Sequence, residues 1–211
     1  MQLFTFFRSS AAYRVRIALN FKGIAYESVP VDLRPGEHRQ QEYLARNPQG
    51  LVPALADDGA VIGQSLAIIE YLEETHPEPP LLPREPGARA QVRAMALAIA
   101  CDLHPLNNLR VLNYLRGPLG QDEQSVNAWY RHWVGVVFAG LETQARAHSD
   151  GRTLFAGRVT LADVCLVPQL FNARRFSCEL APFPTLTAVG ACLETLPAFA
   201  QAAPAAQPDA S

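Results

Sequence analysis

The chain has almost no excess charge of either sign. Eighteen Lys and Arg stand against 20 Asp and Glu, a formal net charge of −2. No broad basic field points to nucleic acid or an anionic membrane, so an acidic small molecule would have to be held by a few placed arginines. Long hydrophobic runs are missing too. The longest strictly apolar stretch, Ala94 to Cys101, falls far short of the roughly 20 residues a membrane helix needs. Met1 to Phe7 is apolar but short, with no basic lead-in and no small-residue cleavage site, and reads as a first strand rather than a signal peptide. Cysteine is absent before Cys101, and Cys101, Cys165, Cys178 and Cys192 form no close pairs. That spacing suggests neither a disulfide framework nor a metal site, and it suits a reducing, cytoplasmic compartment with the four thiols as packing residues. What is present is a globular composition, 49% hydrophobic and 18% charged, in 211 residues, enough for one large domain or two small ones.

Short strands and helices alternate in the first part. Leu3–Phe6 and Tyr26–Val31 are strand-like, and a helical stretch runs through Arg14–Lys22 between them. Glu37–Arg46 has helical composition, and Asn47-Pro48 ends it because the residue before proline disfavours the helical region. Ala54-Leu55 and Val61-Ile62 flank Asp57-Asp58-Gly59, a hairpin signal. Leu66, Ile69 and Leu72 then mark one face of an amphipathic helix. The predicted order is β-α-β-α-β-β-α, a thioredoxin-like arrangement, over residues 1–79. Pro77, Pro79, Pro80, Pro83 and Pro86 cannot continue a helix, and residues 80–86 read as a linker. Residues 87–211 read as all-helical: Ala88–Arg116, Asp122–His148, Leu161–Phe176 and a last helix near Leu186–Leu196, with an Ala/Pro-rich tail from Ala202 expected to fray. Thr160 to Asp163 is a capping-box pattern, a structural device for starting a buried helix.

A redox thioredoxin-like protein carries Cys-x-x-Cys where this chain has Ser9-Ser10-Ala11-Ala12, so thiol–disulfide exchange from that place is excluded. Two hydroxyls at a helix N-terminus remain, where unpaired N–H groups and the helix dipole favour an anion such as a ligand's thiolate. A plain N-cap is the other reading of Ser9 and of Ser65. For His38, His104 and any single arginine the other reading is an ordinary surface or core side chain.

The stretch Ser9 to Leu19, SSAAYRVRIAL, resembles the signature of the zeta-class glutathione transferases, the maleylacetoacetate isomerase family. Asn47 to Leu55 resembles that family's loop leading to a cis-proline, and Gln64 to Leu72 its glutamyl-binding segment. Thr160–Pro168 and Asn172–Phe176 resemble its second domain. The resemblance implies a thioredoxin-like domain followed by a helical domain, with glutathione as cofactor. It implies Ser9 as the hydroxyl that favours the glutathione thiolate and Ser10 as a neighbouring donor. Val52, before a cis Pro53, would pair by its backbone with the cysteinyl part; Gln64 and Ser65 would hold the glutamyl end, and His38 and His104 would contact glutathione. Asn108 would meet substrate or the partner subunit's glutathione in a homodimer. Two positions depart from the family pattern: Ala11 replaces its usual cysteine, and Tyr13 its frequent tryptophan.

The implied reaction is cis–trans isomerisation of a maleyl keto-acid by reversible thiolate addition, for which no metal is expected. A planar arginine fork matches the substrate carboxylates. Arg8, Arg110 and Arg175 are the candidates; Arg174 and Arg175 point about 100° apart on a helix, so one of the two faces the site, and the resemblance to the family's Arg-Phe pair implies Arg175. Isomerisation of the shorter maleylpyruvate, conjugation or dehalogenation of small electrophiles, and a non-catalytic glutathione-fold binding module are the competing readings.

Overall fold

A computed structural model describes residues 1–155 and 157–210. In chain order it contains β1 (Gln2–Thr5), α1 (Ser10–Phe21), β2 (Glu27–Pro30), α2 (Gln41–Arg46), β3 (Ala54–Asp57), β4 (Ala60–Gly63) and α3 (Ser65–Thr75). Helices α4 (Pro86–Leu97), α5 (His104–Leu106), α6 (Leu109–Arg116), α7 (Glu123–His148), α8 (Leu161–Arg175), α9 (Pro184–Glu194) and α10 (Pro197–Ala200) follow. Two compact units result: Met1–Leu81 together with Thr195–Ser211, and Leu82–Glu194.

In the first unit the strands form one sheet in the order β2-β1-β3-β4, with β1 and β2 parallel and the other pairs antiparallel. Side chains alternate across it, as strand geometry requires. Leu3 lies opposite Leu55, and Phe4 opposite Ala54. Phe4 and Ala54 join Phe6, Phe7, Val31, Tyr43 and Val52 in one apolar cluster, while Leu3 and Leu55 are wholly buried. The β3–β4 turn has positive φ at both Asp58 (46°) and Gly59 (79°), the combination a two-residue hairpin needs to match strand twist.

Helix α1 begins at Ser10 with Ser9 as its cap, at the serine pair where the sequence places a helix N-terminus. Two sequence expectations change in this unit. The stretch from Glu37 is not one helix: Glu37–Arg39 forms a single 3₁₀ turn, and extended Gln40 (φ −74°, ψ 150°) separates it from α2. The tail does not fray. Phe199 and Ala202 are fully buried, and the tail's carbonyls accept from α1: Tyr13 Oη to Phe199 O at 3.4 Å, Asn20 Nδ2 to Ala198 O at 3.2 Å, Arg16 Nε to Ala202 O at 3.0 Å. Composition misled there, because a low-complexity Ala/Pro segment still offers carbonyls and small apolar surface to a helix rich in donors. These residues therefore complete the first unit instead of ending the helical one.

The second unit is helical. Its longest expected helix is interrupted: after α4 the chain widens into a π-helical stretch, Ala98–Leu103, then makes the short α5 and breaks at Asn107. Pro105 lacks the N–H that a continuing helix would need, and Asn108 starts α6 afresh by accepting from Arg110 N at 3.1 Å. Arg110 is thus the second residue of a separate helix. Cys101, in the widened stretch, is exposed rather than packed; Cys165 is buried, and none of the four cysteines is in a disulfide among the described residues. Helix α8 starts on the expected capping box. Asp163, fully buried, accepts from Thr160 N, Thr160 Oγ1 and Leu154 N, each at 2.8 Å. Burial raises its carboxyl to about 6 despite those donors. Among the described residues no helix is long and apolar enough to cross a membrane.

Candidate functional site

Strand β1 ends in the turn Phe6–Ser9, which delivers Arg8 and Ser9 to the start of α1. Ser9 N donates to Phe6 O at 2.9 Å, and Ser9 Oγ accepts from Ala12 N at 3.2 Å. The capping reading of Ser9 therefore holds, without excluding the other. A hydroxyl has one proton and two lone pairs, so accepting from Ala12 leaves the proton to be donated elsewhere. Ser9 is half-buried, whereas Ser10 is 5% exposed, so only the first hydroxyl reaches outward to any extent. Arg8 is exposed, with its guanidinium 5.0 Å from the centre of the Phe7 ring.

Helix α3 begins without a side-chain cap. Gln64 occupies the cap position with φ 67° and makes no capping bond; its Nε2 instead donates to Gln49 Oε1 at 2.8 Å. A positive φ on a non-glycine residue is strained and tends to mark function. Ser65 is the first helical residue rather than the cap, and it is buried, accepting from Arg14 Nη1 at 3.3 Å. Arg14 lies one turn after Ser10 on α1, so this contact brings the starts of α1 and α3 together. Among the described residues no cap side chain meets the first N–H groups of this 11-residue helix, an arrangement suited to a carboxylate.

Between these helices runs the Asn47–Pro53 loop. Tyr43 Oη and Asn47 Nδ2 both donate to Leu51 O, at 2.6 and 2.8 Å, fixing the backbone just before Val52. The Val52–Pro53 bond is cis. Gly50 (φ 59°) is required here, since a Cβ would stand 3.0 Å from His38 O. His38 is half-buried, and its Nδ1 is enclosed without a hydrogen-bond partner among the described residues. Burial, with Arg39 nearby, holds its imidazole below the usual value.

The other candidates lie in the second unit. His104 Nε2 is 3.4 Å from Asn108 Nδ2, and Arg110 is exposed on the first turn of α6. Arg174 is engaged with Glu194 at 2.5 Å, whereas Arg175 lies 4.8 Å from the centre of the Phe176 ring. Phe176 stacks on Tyr130, with centroids 3.7 Å apart, and burial pushes the Tyr130 phenol up to about 12. Of the adjacent pair, Arg174 is tied to the Glu194 carboxylate and Arg175 packs on an aromatic ring. Two surface grooves, about 420 Å³ beside β2 and about 580 Å³ beside Arg131 and Cys178, include no candidate site residue.

Sequence reasoning missed Arg14, Arg16 and Gln49. The signal for the arginines was available: they are two residues apart on a helix, about 200° around its axis, amid apolar neighbours, so no single polar stripe could hold both. Both are almost wholly buried. Nothing in the sequence marks Gln49, because its role depends on the strained backbone of Gln64.

Residues 3–80 match the family model of the glutathione S-transferase N-terminal domain. The chain is 51% identical to a probable maleylacetoacetate isomerase of Vibrio cholerae serotype O1 over 99% of its own length and 97% of that protein's. It superposes, with TM-score 0.98 and 47% identity over 100% of both chains, on the holo structure of maleylpyruvate isomerase, a bacterial glutathione S-transferase in the zeta class. A maleylacetoacetate isomerase of Methylobacterium extorquens AM1, solved with bound malonate and glutathione, gives TM-score 0.96 at 41% identity over 100% of both chains. With likeness at this level running from the Ser9 turn through the last helices, the chain belongs to the zeta class of the glutathione transferase family.

Proposed function

We propose that this chain is a glutathione-dependent isomerase that converts maleylacetoacetate to fumarylacetoacetate in aromatic amino-acid degradation. The observation that carries this reading is the half-exposed Ser9 hydroxyl, capped on its acceptor side and holding a proton to give, in a chain alike over its whole length to a maleylacetoacetate isomerase. Glutathione fits the first unit on three counts: the open start of α3, the strained Gln64 beside it, and the enclosed Nδ1 of His38. When bound, glutathione supplies a thiolate that adds reversibly to the conjugated cis double bond, making it single long enough to rotate.

The chain's own residues then have separable tasks. Ser9 donates its hydroxyl proton toward the sulfur, and the N–H groups at the start of α1 add positive potential, so thiolate is favoured over thiol. Ser10 contributes to the same helix terminus from its buried position. Ser65 N–H and the following N–H groups of α3 take the glutamyl carboxylate, with the Gln64 side chain beside them and Arg14 beneath Ser65. Val52 offers backbone N–H and C=O to the cysteinyl residue, while His38, His104 and Asn108 are further glutathione contacts. Arg8, Arg110 and Arg175 hold the carboxylates of the keto-acid and steady the charge that builds on its carbonyl oxygen. The enzyme works as a cytoplasmic homodimer; the widely spaced cysteines support a reducing compartment.

Maleylpyruvate is the second reading, favoured by the whole-chain likeness to a maleylpyruvate isomerase. Purified protein incubated with each maleyl keto-acid and catalytic glutathione decides between them. Faster cis-to-trans conversion of maleylacetoacetate, without net loss of glutathione, is the expected result. Stoichiometric consumption would mean a transferase, and faster conversion of maleylpyruvate would reassign the substrate.

A further inference from the structure

The Phe6–Ser9 turn is held from the far end of the chain. Phe6 O accepts from Ser9 N at 2.9 Å and from Arg16 Nη1 at 3.4 Å, and Phe7 O accepts from Arg16 Nη2 at 2.9 Å. Arg16 Nη1 also reaches Thr5 Oγ1 at 2.9 Å. A backbone donor of the turn, Phe7 N, points at the tail: Asp209 Oδ2 accepts from it at 2.9 Å across 202 residues of sequence. Asp209 Oδ1 is buried without a hydrogen-bond partner among the described residues, and the charged groups that face this carboxylate are Arg16 and Arg34, the latter paired with Asp32 at 2.8 Å. Burial drops the Arg16 guanidinium to about 10, with Tyr26, Asp209 and Tyr13 opposing the fall. The tail is anchored short of Asp209 by buried Phe199, Ala202 and Pro204, so its last turn is presented at a fixed place.

We infer that Asp209 is a positioning residue for Ser9: as an acceptor for Phe7 N–H it closes the turn that carries Arg8 and Ser9, and the tail is thereby a working part of the glutathione site. The physical reason is geometric. A hydroxyl that must meet a sulfur at hydrogen-bond distance tolerates little drift, and misplacement of about 1 Å can cost up to about 100-fold in rate. With Phe7 N–H released, the turn keeps its two carbonyl anchors on Arg16 but gains freedom about Phe7, two residues before Ser9. The start of α3 lies outside that turn, so glutathione should still bind. The inference rests on the role proposed above for Ser9.

The test uses the full chain with Asp209→Ala, Asp209→Asn and, as a stability control, Val126→Ala, a fully buried position on α7 in the helical unit. Asparagine keeps an acceptor for Phe7 N–H and loses only the charge. Asp209→Ala is expected to lower kcat about tenfold, with KM for glutathione changed less than about twofold. It is also expected to raise the apparent pKa of bound glutathione, read from its ultraviolet thiolate absorbance, by about half a unit. Asp209→Asn should restore most of both. Val126→Ala should lower the melting temperature while leaving the thiol pKa at the parent value. A parent-like thiol pKa in Asp209→Ala overturns the inference, as does an equal loss in Ala and Asn variants. So does a thiol shift in Val126→Ala, which would make the effect one of general loosening. Because thiolate absorbance needs no keto-acid, a parent enzyme that binds glutathione but isomerises nothing would sink the proposed function and leave this inference standing on its own readout.

Discussion

Helices α3 and α8 begin in opposite ways. At the start of α8, Asp163 gathers three donors, is wholly buried, and leaves that terminus sealed by the chain's own side chains. At the start of α3, the cap position is taken by Gln64 in a strained conformation with no capping bond, and Ser65 is held from the side by Arg14. A sealed terminus contributes stability and nothing else. An open one costs the isolated protein some stability and keeps its N–H groups for something outside the chain. Helix α1 is intermediate: Ser9 seals one N–H and keeps its own proton available.

Substitutions can break this contrast. Asp163→Ala leaves three buried donors without an acceptor and should destabilise the protein by about 4 kcal/mol, read by urea or thermal melting. A loss below about 1 kcal/mol would mean the cap is dispensable. Its titration gives a sharper view. The Asp163 carboxyl is raised in the folded state to about 6, so its contribution is full below the unfolded carboxylate value and is lost as pH rises through about 6. Compared with Asp163→Asn, the parent should therefore lose stability between about pH 4 and pH 6.

Ser9→Ala ranks next. Turnover should fall about 100-fold, with glutathione affinity within about threefold and a stability cost near 1 kcal/mol. An unchanged rate would move thiol activation to backbone donors alone. Arg175→Lys should lower kcat/KM about tenfold, because a point charge replaces a bidentate fork, while Arg174→Lys stays within about twofold. Equal effects would remove the distinction drawn from the Arg174–Glu194 pair. The smallest effect belongs to Gln64→Gly, which relieves the positive φ. Melting temperature should rise slightly and glutathione affinity fall about threefold.

Much of the contrast between the two termini was legible in the residues. The α8 capping box is a local pattern, so Thr160 and Asp163 could be assigned from spacing alone. The order of elements along the first unit, the hairpin at Asp58-Gly59 and the stop at Asn47-Pro48 are likewise local. Ser9 was legible as a hydroxyl at a helix start where a redox protein has cysteine. What escaped depends on contacts far apart in sequence. Arg16 serves carbonyls in the turn after β1 and in the tail, 186 residues away, and Asp209 reaches Phe7 across 202. Gln49 matters through Gln64, whose strain no propensity reveals. The break at Asn107 lay between: Pro105 and the Asn pair signalled it, but the surrounding apolar periodicity outweighed them.

The discontinuous make-up of the first unit bears on how the chain is synthesised. Residues 1–81 emerge first, yet the carbonyls that satisfy Tyr13, Asn20 and Arg16 belong to residues 198–202, and the acceptor for Phe7 lies at 209. At a ribosomal pace of about 5–20 residues per second, the nascent first unit waits several seconds with the Nε of a buried-type arginine still lacking its acceptor. The helical unit is contiguous in sequence and ends at Glu194, before those tail residues are made. Order of manufacture and order of completion are thus reversed.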